Sequence, residues 1–546
     1  MALASRRLAL VATAAAVTVL NASLSFQNVW PTPAIRWEGE LSIELAACLL
    51  VLVIAHRRFG PPARATLRWI AALWLLLAVG HYADVTAPAL YGRDINLYWD
   101  LRYMPDVAAM MARVAPLWLL VLVVSAAALT LVLLYLLFRW ALHRVGDAMD
   151  NSRQRVAIGV LATGVVLLFA AHWIPALSAS FPGVPTFSTP VTQTYARQVR
   201  FVIDALGGSR SLAPSPPMNA DLRLVRGADV FLVFIEAYGA VTYERPDIAP
   251  RLAVSRADLE AAIRSTNRGV VSAFVESPTF GGSSWLAHLS LMSGVEVRDA
   301  ETNARLMTQQ RETMVTTFAR RGYRTVGLMP GLRQRWPEGA FYGFDDVYGA
   351  ARLDYHGPEF GWFAVPDQFS MARFDMLEVS RPARPPLFVF FPTISTHFPF
   401  SPTPPYQPDW PRMLNPRPYD GPAIVRAYAR EPDWKNFAPG YVDAVSYTYA
   451  TLGGYLRAHA DRDLVMILIG DHQPASAVSG EGAPWDVPVH LIASKASRQQ
   501  ILDRLLARGF HAGITPARPA LGRMHALLSL LLDVFSEQEP TVSGPH

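Results

Sequence analysis

The stretch LVMILIGDH (residues 464–472) places six consecutive apolar residues before a glycine, an aspartate and a histidine. A short apolar run without alternation is typical of a strand that is buried on both faces, as in a parallel sheet covered by helices. Asp471 and His472 follow at the strand end, where two polar side chains beside an apolar core are costly unless they have partners. The stretch therefore predicts a buried strand that ends in two candidate metal ligands.

Five further short apolar runs occur in the same part of the chain, separated by segments with a helical pattern. They are residues 229–239, 270–277, 323–331, 386–397 and 487–494. This alternation predicts an α/β domain with a mostly parallel sheet covered on both faces. Such sheets bind ligands beyond the carboxyl ends of their strands. The Pro-rich stretch 399–422 is interpreted as a long surface loop or lid.

The first third of the chain contains five apolar stretches, most of which approach the ~20 residues that a helix needs to cross a bilayer. They lie at roughly 8–26, 41–55, 67–87, 115–138 and 156–177. The arginine-dense loops 56–68 and 139–155 alternate with loops that are poorer in arginine. The positive-inside rule then places the N-terminus in the cytoplasm and everything after about residue 178 outside. A cleaved signal peptide is the alternative for the first stretch, and an uncleaved span fits the alternation better.

Composition agrees with a multi-pass membrane protein that carries a second domain. The chain is 51% hydrophobic, and its formal net charge is +5. The arginines cluster between apolar runs, so membrane topology explains the positive charge better than nucleic-acid binding does. The single cysteine, Cys48, excludes an intrachain disulfide. We expect a five-helix transmembrane domain over 1–178, a connector over 179–225, a catalytic domain over 226–535 and a tail over 536–546.

Three predicted strand ends carry side chains that can bind a metal ion. Glu236 ends the first predicted strand of the α/β domain, His397 ends another, and Asp471 and His472 end a third. Each residue alone is weak evidence, since a glutamate after a strand is usually solvated and a lone histidine is usually structural. Strand ends meet at one edge of a parallel sheet, and carboxylates with an imidazole suit a cation such as zinc or manganese.

The stretch SPTFGGSSWLAHLSLMSG (277–294) places two glycines and two serines before a helical pattern. Serine and glycine are ordinary helix starters, so a helix cap is the first interpretation. Beside a metal ion, a hydroxyl there could instead be a fourth ligand whose lowered pKa makes it a nucleophile. A helix N-terminus also attracts a phosphate-like anion.

Together these motifs resemble the alkaline-phosphatase/sulfatase superfamily. The resemblance is to its membrane-anchored branch of lipoteichoic acid synthase-like phosphoglycerol transferases and lipid A phosphoethanolamine transferases, and it covers essentially the whole chain. It implies five N-terminal transmembrane helices followed by an alkaline-phosphatase-like α/β domain. It also implies one divalent metal ion, zinc or manganese, and a place in a bacterial inner (cell) membrane with the catalytic domain periplasmic or otherwise extracytoplasmic.

The resemblance assigns the central residues one by one. FIEAYG resembles the first metal-ligand strand and makes Glu236 a ligand, and IGDH makes Asp471 and His472 ligands. GGSSW resembles the nucleophile turn and makes Ser284 both the nucleophile and a metal ligand. The family usually has threonine there, and Ser283 is the alternative.

The remaining assignments concern the substrate. STHFPF makes His397 a catalytic and substrate-binding residue, and LRQRWPEGAFYGFDD places Arg335 where the family holds a substrate phosphate. His288, one helical turn after the nucleophile, could face the substrate or only pack. Asp486 stands where the phosphoethanolamine branch often has histidine, which makes it a candidate for contact with a ligand side chain. His490 is interpreted as structural rather than as a ligand.

The implied activity is metal-dependent transfer of phosphoethanolamine or phosphoglycerol from a membrane phospholipid to a cell-envelope glycan or lipid, through a phosphoseryl intermediate. A phosphohydrolase, a phosphodiesterase or a sulfatase-like hydrolase is the alternative. A true sulfatase is disfavoured because Ser284 is followed by Trp-Leu-Ala-His and not by a formylglycine motif. A degenerate scaffold is disfavoured because all four ligand positions hold competent groups. We expect a monomer that does not bind nucleic acid.

Overall fold

The computed structural model describes residues 2–114, 116–172, 186–207, 212–334, 336–361 and 364–537. The chain divides into two compact units. One consists of Met1–Leu90 with Asp94–Ser209, and the other of Tyr91–Arg93 with Arg210–His546. The first unit is helical, and the second has an α/β architecture.

The helical unit is built from long helices and one small antiparallel sheet. Its helices are Ala2–Ala22, Ile43–Phe59, Arg64–Tyr91, Leu97–Val114, Leu117–Met149, Ser152–His172 and Val191–Gly207, and its strands are β1 (Phe26–Asn28) and β2 (Ile35–Trp37). Each of the five apolar stretches recognised in the sequence falls largely within one of these helices. The continuous apolar runs explain this, because a helix satisfies its own backbone hydrogen bonds where no water is available.

Among the residues of this unit that the structure describes, three helices are long and apolar enough to cross a membrane. They are Arg64–Tyr91, Leu117–Met149 and Ser152–Ala171. The apolar window of Leu117–Met149 is not buried inside the protein at all, and Val124 in it is 69% exposed. Exposed apolar surface of this extent is typical of helices that face lipid. Ala2–Ala22 and Ile43–Phe59 are not among the three, so the five-span arrangement stays a prediction.

The α/β unit is organised around an eight-stranded sheet. Its strands are β3 (Asp229–Ile235), β4 (Arg268–Glu276), β5 (Arg324–Met329), β6 (Asp346–Gly349), β7 (Leu387–Pro392), β8 (Leu464–Gly470), β9 (Asp486–Ser494) and β10 (His511–Ala512). Their order is β10-β4-β9-β8-β3-β7-β5-β6. The strands from β8 to β6 run parallel, whereas β9 is antiparallel to β8 and β4, and β10 is antiparallel to β4. The predicted mostly parallel sheet is confirmed.

Both faces of the sheet are buried. Leu232 and Phe234 of β3 belong to one apolar core, and Phe231 and Val233 belong to a second core on the opposite face. Burial on two faces explains why the strands read as unbroken apolar runs. The helices of this unit are Val241–Glu244, Ala253–Ser265, Ser284–Ser293, Ala300–Met307, Met314–Arg320, Ala350–Leu353, Asp367–Phe374, Gly421–Tyr428, Ala438–Ala458, Ser476–Ser479, Lys495–Ala507 and Leu527–Phe535.

The antiparallel direction of β9 follows from its connection to β8. Residues 471–485 contain only the one-turn helix Ser476–Ser479, and not the long helix that usually carries a chain back for parallel pairing. β9 therefore starts at the edge of the sheet where β8 ends, which puts Asp486 on the same edge as Asp471. The strands β6 and β10, which were not predicted, are short and lie at the two margins of the sheet.

Candidate active site

Adjacent strands bring the predicted metal ligands together. β3 and β8 are parallel neighbours in which Ile235 pairs with Gly470, so the next residues, Glu236 and Asp471, emerge side by side. One ligand atom from each of Glu236, Asp471 and His472 lies within 4.8 Å of the others. The three side chains form a group that could hold one metal ion.

Asp471 is oriented by backbone amides and keeps one oxygen available. Its Oδ1 accepts hydrogen bonds from the N–H groups of Ala237 (2.8 Å) and His472 (2.7 Å). Its Oδ2 is buried, has no hydrogen-bond partner among the described residues, and lies 3.8 Å from His472 Nε2. A buried carboxylate oxygen without a partner is costly, and a bound cation would satisfy it.

His472 presents a ring nitrogen to the same point. It is 2% exposed, and its Nδ1 lies 2.7 Å from the carbonyl oxygen of Gln473. Because a carbonyl oxygen only accepts, we assign the hydrogen to Nδ1, and the neutral ring then offers the lone pair of Nε2. That atom lies 3.3 Å from Glu236 Oε1. A metal-binding histidine is usually fixed by such a bond from its other nitrogen.

The buried charges perturb one another strongly. Burial alone would raise the pKa of Glu236, but the hydrogen bond and the charge of His472 hold that pKa well below its usual value. Burial and the charge of Glu236 raise the pKa of Asp471 well above its usual value. Burial would lower the pKa of His472, but the charge of Asp471 and the hydrogen bond to Glu236 raise it to about 9. Without a cation the group therefore retains protons, which a divalent ion would displace.

The donor set of this group fits a divalent cation. Two carboxylates and one imidazole are ligands of borderline and hard metals, zinc and manganese among them. The orphaned oxygen of Asp471 and the lone pair of His472 Nε2 belong to the same group of atoms within 4.8 Å of one another. The residues therefore fit the metal ion that the sequence motifs imply.

The glycine–serine turn brings a hydroxyl to this group. Gly281, Gly282 and Ser283 have φ values of +67°, +147° and +60°, a backbone conformation that favours glycine. Ser283 precedes the helix, but its side chain makes no capping hydrogen bond. Ser284 begins the helix Ser284–Ser293, and its Oγ lies 2.8 Å from Glu236 Oε2 and 3.2 Å from His472 Nε2. The turn thus places the Ser284 hydroxyl against the candidate metal site.

His397 approaches from the other neighbour of β3. It closes a tight turn after β7, in which its N–H donates to the Ile394 carbonyl at 3.0 Å. The Thr393 hydroxyl accepts the N–H of Glu236 at 3.1 Å, and the Thr396 hydroxyl donates to the Glu236 carbonyl. The turn that carries His397 is therefore tied to the strand end that carries Glu236.

His288 is buried and Arg335 is not described. The His288 ring is 9% exposed and packs against Phe234 and Phe390, with centroid distances of 4.5 and 5.3 Å. Burial lowers its pKa to about 3, so the ring is neutral. Its Nε2 is buried without a hydrogen-bond partner among the described residues, and its contact with substrate stays a prediction. Arg335 lies outside the described residues.

Asp486 and His490 are engaged elsewhere. Asp486 pairs with Arg518. His490 Nδ1 lies 2.7 Å from Ser272 Oγ, and its Nε2 lies 3.1 Å from the Tyr238 hydroxyl. Neither residue belongs to the group formed by the three candidate ligands. The contacts of His490 agree with its interpretation as a structural residue.

Asp367 was not among the predicted site residues. It is 1% exposed, it starts the helix Asp367–Phe374, and its carboxylate accepts the N–H groups of Ile394 and Ser395, each at 2.9 Å. An acid at the start of a helix is common, so its local sequence gives no signal. Its partners lie 27 and 28 residues further along the chain.

The α/β domain thus carries a Glu/Asp/His group beside a hydroxyl at a helix start. The sulfatase family model matches residues 289–503, so the chain carries a sulfatase-family domain. The matched segment contains His397, Asp471 and His472 and begins after Ser284. Curated protein sequences give no match to this chain.

Several solved structures are similar to parts or most of this chain. The integral membrane protein EptA from Neisseria meningitidis, a lipooligosaccharide phosphoethanolamine transferase, is 14% identical with a TM-score of 0.50, covering 91% of this chain and 89% of that one. The lipoteichoic acid synthase LtaP from Listeria monocytogenes is 15% identical with a TM-score of 0.35, covering 54% and 70%. The phosphoglycerol transferase GacH from Streptococcus pyogenes is 12% identical with a TM-score of 0.35, covering 65% and 87%. At these identities, the likeness to EptA shows a shared fold.

Proposed function

We propose that this protein is a membrane-anchored, metal-dependent transferase. It would move phosphoethanolamine or phosphoglycerol from a membrane phospholipid to a cell-envelope glycan or lipid through a phosphoseryl intermediate. One observation carries the proposal: the Ser284 Oγ lies 2.8 Å from Glu236 Oε2 and 3.2 Å from His472 Nε2. A hydroxyl held against a metal-binding group is placed to act as a nucleophile. The fold shared with the phosphoethanolamine transferase EptA supports this class of reaction.

The proposed location follows from the apolar helices and the arginine-rich loops. Residues 226–535 would form the catalytic domain outside the cytoplasm of a bacterial inner (cell) membrane. Residues 1–178 would span the membrane, 179–225 would connect the two domains, and 536–546 would form a tail. This arrangement keeps a monomeric enzyme beside its lipid donor.

Glu236, Ser284, Asp471 and His472 would hold one divalent ion, zinc or manganese. Such an ion lowers the pKa of an adjacent hydroxyl and attracts the oxygens of a phosphoryl group. Hydrogen bonds within the chain orient the ligand side chains. Backbone amides fix Asp471 so that Oδ2 is left for the ion, and the carbonyl of Gln473 fixes the ring of His472.

In the first half of the reaction, the Ser284 Oγ would attack the phosphorus of the phospholipid. The hydrogen bond to Glu236 orients the hydroxyl, and its proton passes to solvent, because the low pKa of Glu236 makes that carboxylate a weak base. The Oγ–P bond forms while the P–O bond to diacylglycerol breaks, and the leaving oxygen takes up a proton. In the second half, an acceptor hydroxyl loses its proton and attacks the phosphoserine, and Ser284 is regenerated.

His397 is suited to the proton transfers of both halves. Its Nδ1 lies 2.7 Å from the Phe398 carbonyl oxygen. We assign the hydrogen to Nδ1, so Nε2 is the atom that takes up or releases a proton. His397 and Arg335 would also hold phosphoryl oxygens and offset their charge. His288, on the helix that Ser284 begins, would contact the substrate.

The proposal is tested with the purified full-length protein and two fluorescent donors, phosphatidylethanolamine and phosphatidylglycerol, in the presence of zinc or manganese. We expect diacylglycerol to be released from one donor and its headgroup phosphate to be found on Ser284 by peptide mass spectrometry. Continued release without any acceptor would favour the phosphohydrolase alternative. Modification of Ser283 would move the nucleophile by one residue. The absence of both product and adduct would contradict the proposal.

A further inference from the structure

Two neighbouring buried residues hold the turn that carries His397. Asp367 and Gln368 are 1% and 0% exposed. The carboxylate of Asp367 accepts the N–H groups of Ile394 and Ser395, each at 2.9 Å. These are the first two residues of the turn, and the His397 N–H closes it by donating to the Ile394 carbonyl. Hydrogen bonds to an ionised carboxylate are stronger than those between neutral groups.

The same turn is anchored to Glu236 on its other side. The Thr393 hydroxyl accepts the Glu236 N–H, and the Thr396 hydroxyl donates to the Glu236 carbonyl. Asp367 therefore completes the attachment of the turn and sets where His397 stands relative to the candidate metal ligand. Placement matters here because a misplacement of about 1 Å can cost roughly 100-fold in rate.

The burial of Asp367 is itself costly. Burial raises its pKa to about 6, and the hydrogen bonds to Ser395 and Ile394 only partly oppose that rise. Its hydrogen-bond partners are backbone amides, and not the guanidinium or ammonium group that usually compensates a buried carboxylate. A polar group that costs stability where it stands is typical of a functional site.

Gln368 extends the attachment to the Pro-rich segment. Its side-chain amide donates to the Gln407 carbonyl at 2.5 Å, and its Oε1 accepts the Gln407 N–H at 2.9 Å. Gln407 in turn donates from its side chain to the Pro418 carbonyl at 2.6 Å. A cleft that is lined in part by His397, Phe398 and Pro404 adjoins the turn.

We propose that Asp367 and Gln368 are positioning residues, of which Asp367 fixes the His397 turn against Glu236 and Gln368 fixes Gln407, three residues after the cleft-lining Pro404. Neither residue touches the reacting atoms in this scheme. The inference rests on the proposed function, since His397 receives its role there. It assigns to Asp367 an effect on the reaction that passes through His397 alone.

The geometric half of the inference is tested by hydrogen–deuterium exchange on the full-length protein. In Asp367→Ala, the amides of Ile394 and Ser395 should exchange at least about tenfold faster, because their acceptor is gone. Ser370→Ala is the matched control. It lies on the same helix with 0% exposure, and its hydroxyl donates to Pro366. It should leave the turn amides unchanged. Unchanged turn amides in Asp367→Ala would overturn the proposal.

Gln368→Ala tests the second attachment in the same experiment. It should speed exchange of the Gln407 amide and leave the His397 turn protected. If Asp367→Ala does not fold, Asp367→Asn replaces it, since asparagine keeps one acceptor oxygen and should release one of the two turn amides. Wild-type exchange at both amides in Asp367→Asn would contradict the assigned contacts.

The functional half uses release of diacylglycerol from the fluorescent phospholipid that the wild type consumes. Asp367→Asn should lower kcat about 10- to 100-fold with metal content unchanged, as expected for a group that orients a functional residue. In a His397→Ala background the same change should have less than about a twofold effect. An equally large loss in both backgrounds would show a merely structural role and overturn the inference. No release by the wild type would instead refute the proposed function, and the exchange results would still decide the positioning.

Discussion

Replacing Ser284 with alanine separates the chemistry of the glycine–serine turn from its structural role. The change removes a hydroxyl that lies 2.8 Å from Glu236 and 3.2 Å from His472. A hydrogen bond to a charged group contributes roughly 1.5–3 kcal/mol, and alanine regains part of this at a helical position. We therefore expect the free energy of unfolding to fall by at most about 2 kcal/mol, with the fold and the metal site retained.

Turnover should fall much further than stability. Loss of the nucleophile removes the covalent route, and a rate loss of about 1,000-fold or more corresponds to roughly 4 kcal/mol of barrier. Ser284→Thr should remain active, because threonine offers the same hydroxyl. A stability loss of at most about 2 kcal/mol leaves most molecules folded, so unfolding alone cannot produce such a rate change.

Ser283 provides the matched control one residue away. It makes no capping hydrogen bond, and its φ is +60°. Ser283→Ala keeps the same backbone strain and should change the unfolding free energy by less than about 0.5 kcal/mol, with turnover within about twofold of the wild type. Ser283→Gly should stabilise the protein by up to about 1 kcal/mol, because glycine adopts this conformation without strain.

The assay combines diacylglycerol release, thermal unfolding and metal analysis on each purified full-length variant. An inactive Ser283→Ala beside an active Ser284→Ala would place the nucleophile on Ser283. If both variants turned over normally, the two serines would be only part of a turn. The transferase proposal would then be refuted.

Three further outcomes test other parts of the molecule. Asp471→Asn places an amide where the cation is expected, so elemental analysis should find zinc or manganese lost. Asp486→Asn, on the same sheet edge, should keep the metal, and full occupancy in Asp471→Asn would contradict the ligand set. Asp229→Ala should lower stability by roughly 3 kcal/mol, because it removes a buried carboxylate that pairs with the half-buried Arg384 and Arg462. A melting temperature equal to that of the wild type would refute this reasoning. A reporter fused to the C-terminus should be active only if it functions outside the cytoplasm, and cytoplasmic activity would refute the topology.

The local sequence pattern was sufficient to predict most strands of the sheet. The six apolar runs correspond to β3, β4, β5, β7, β8 and β9, since burial on both faces leaves a continuous apolar signature. β6 and β10 lie at the margins and are too short to leave such a signature. The residues of β9 do not reveal that it is antiparallel, because its direction depends on the segment that connects it to β8.

The candidate site, like the sheet, has one part that the sequence predicts and another that it does not. Glu236, Asp471 and His472 stand directly after strands, so the rule that strand ends meet at one edge was enough to group them. The contacts of Asp367 could not be predicted, because they join a helix start to backbone amides 27 and 28 residues away. A side chain that binds distant backbone atoms requires no particular residue type at its partners, so no sequence motif reveals the contact.

Strand order is the physical reason why these groups meet. β3 lies between β8 on one side and β7 on the other, all three parallel. Glu236 at its end is thus flanked by Asp471 and His472 after β8, and by the His397 turn after β7. Parallel strands end at one edge, so a nucleophile turn needs to reach only one point of the sheet. If the site works as proposed, a change that shifts the register of β3 against either neighbour should abolish metal binding or catalysis without altering any of these side chains.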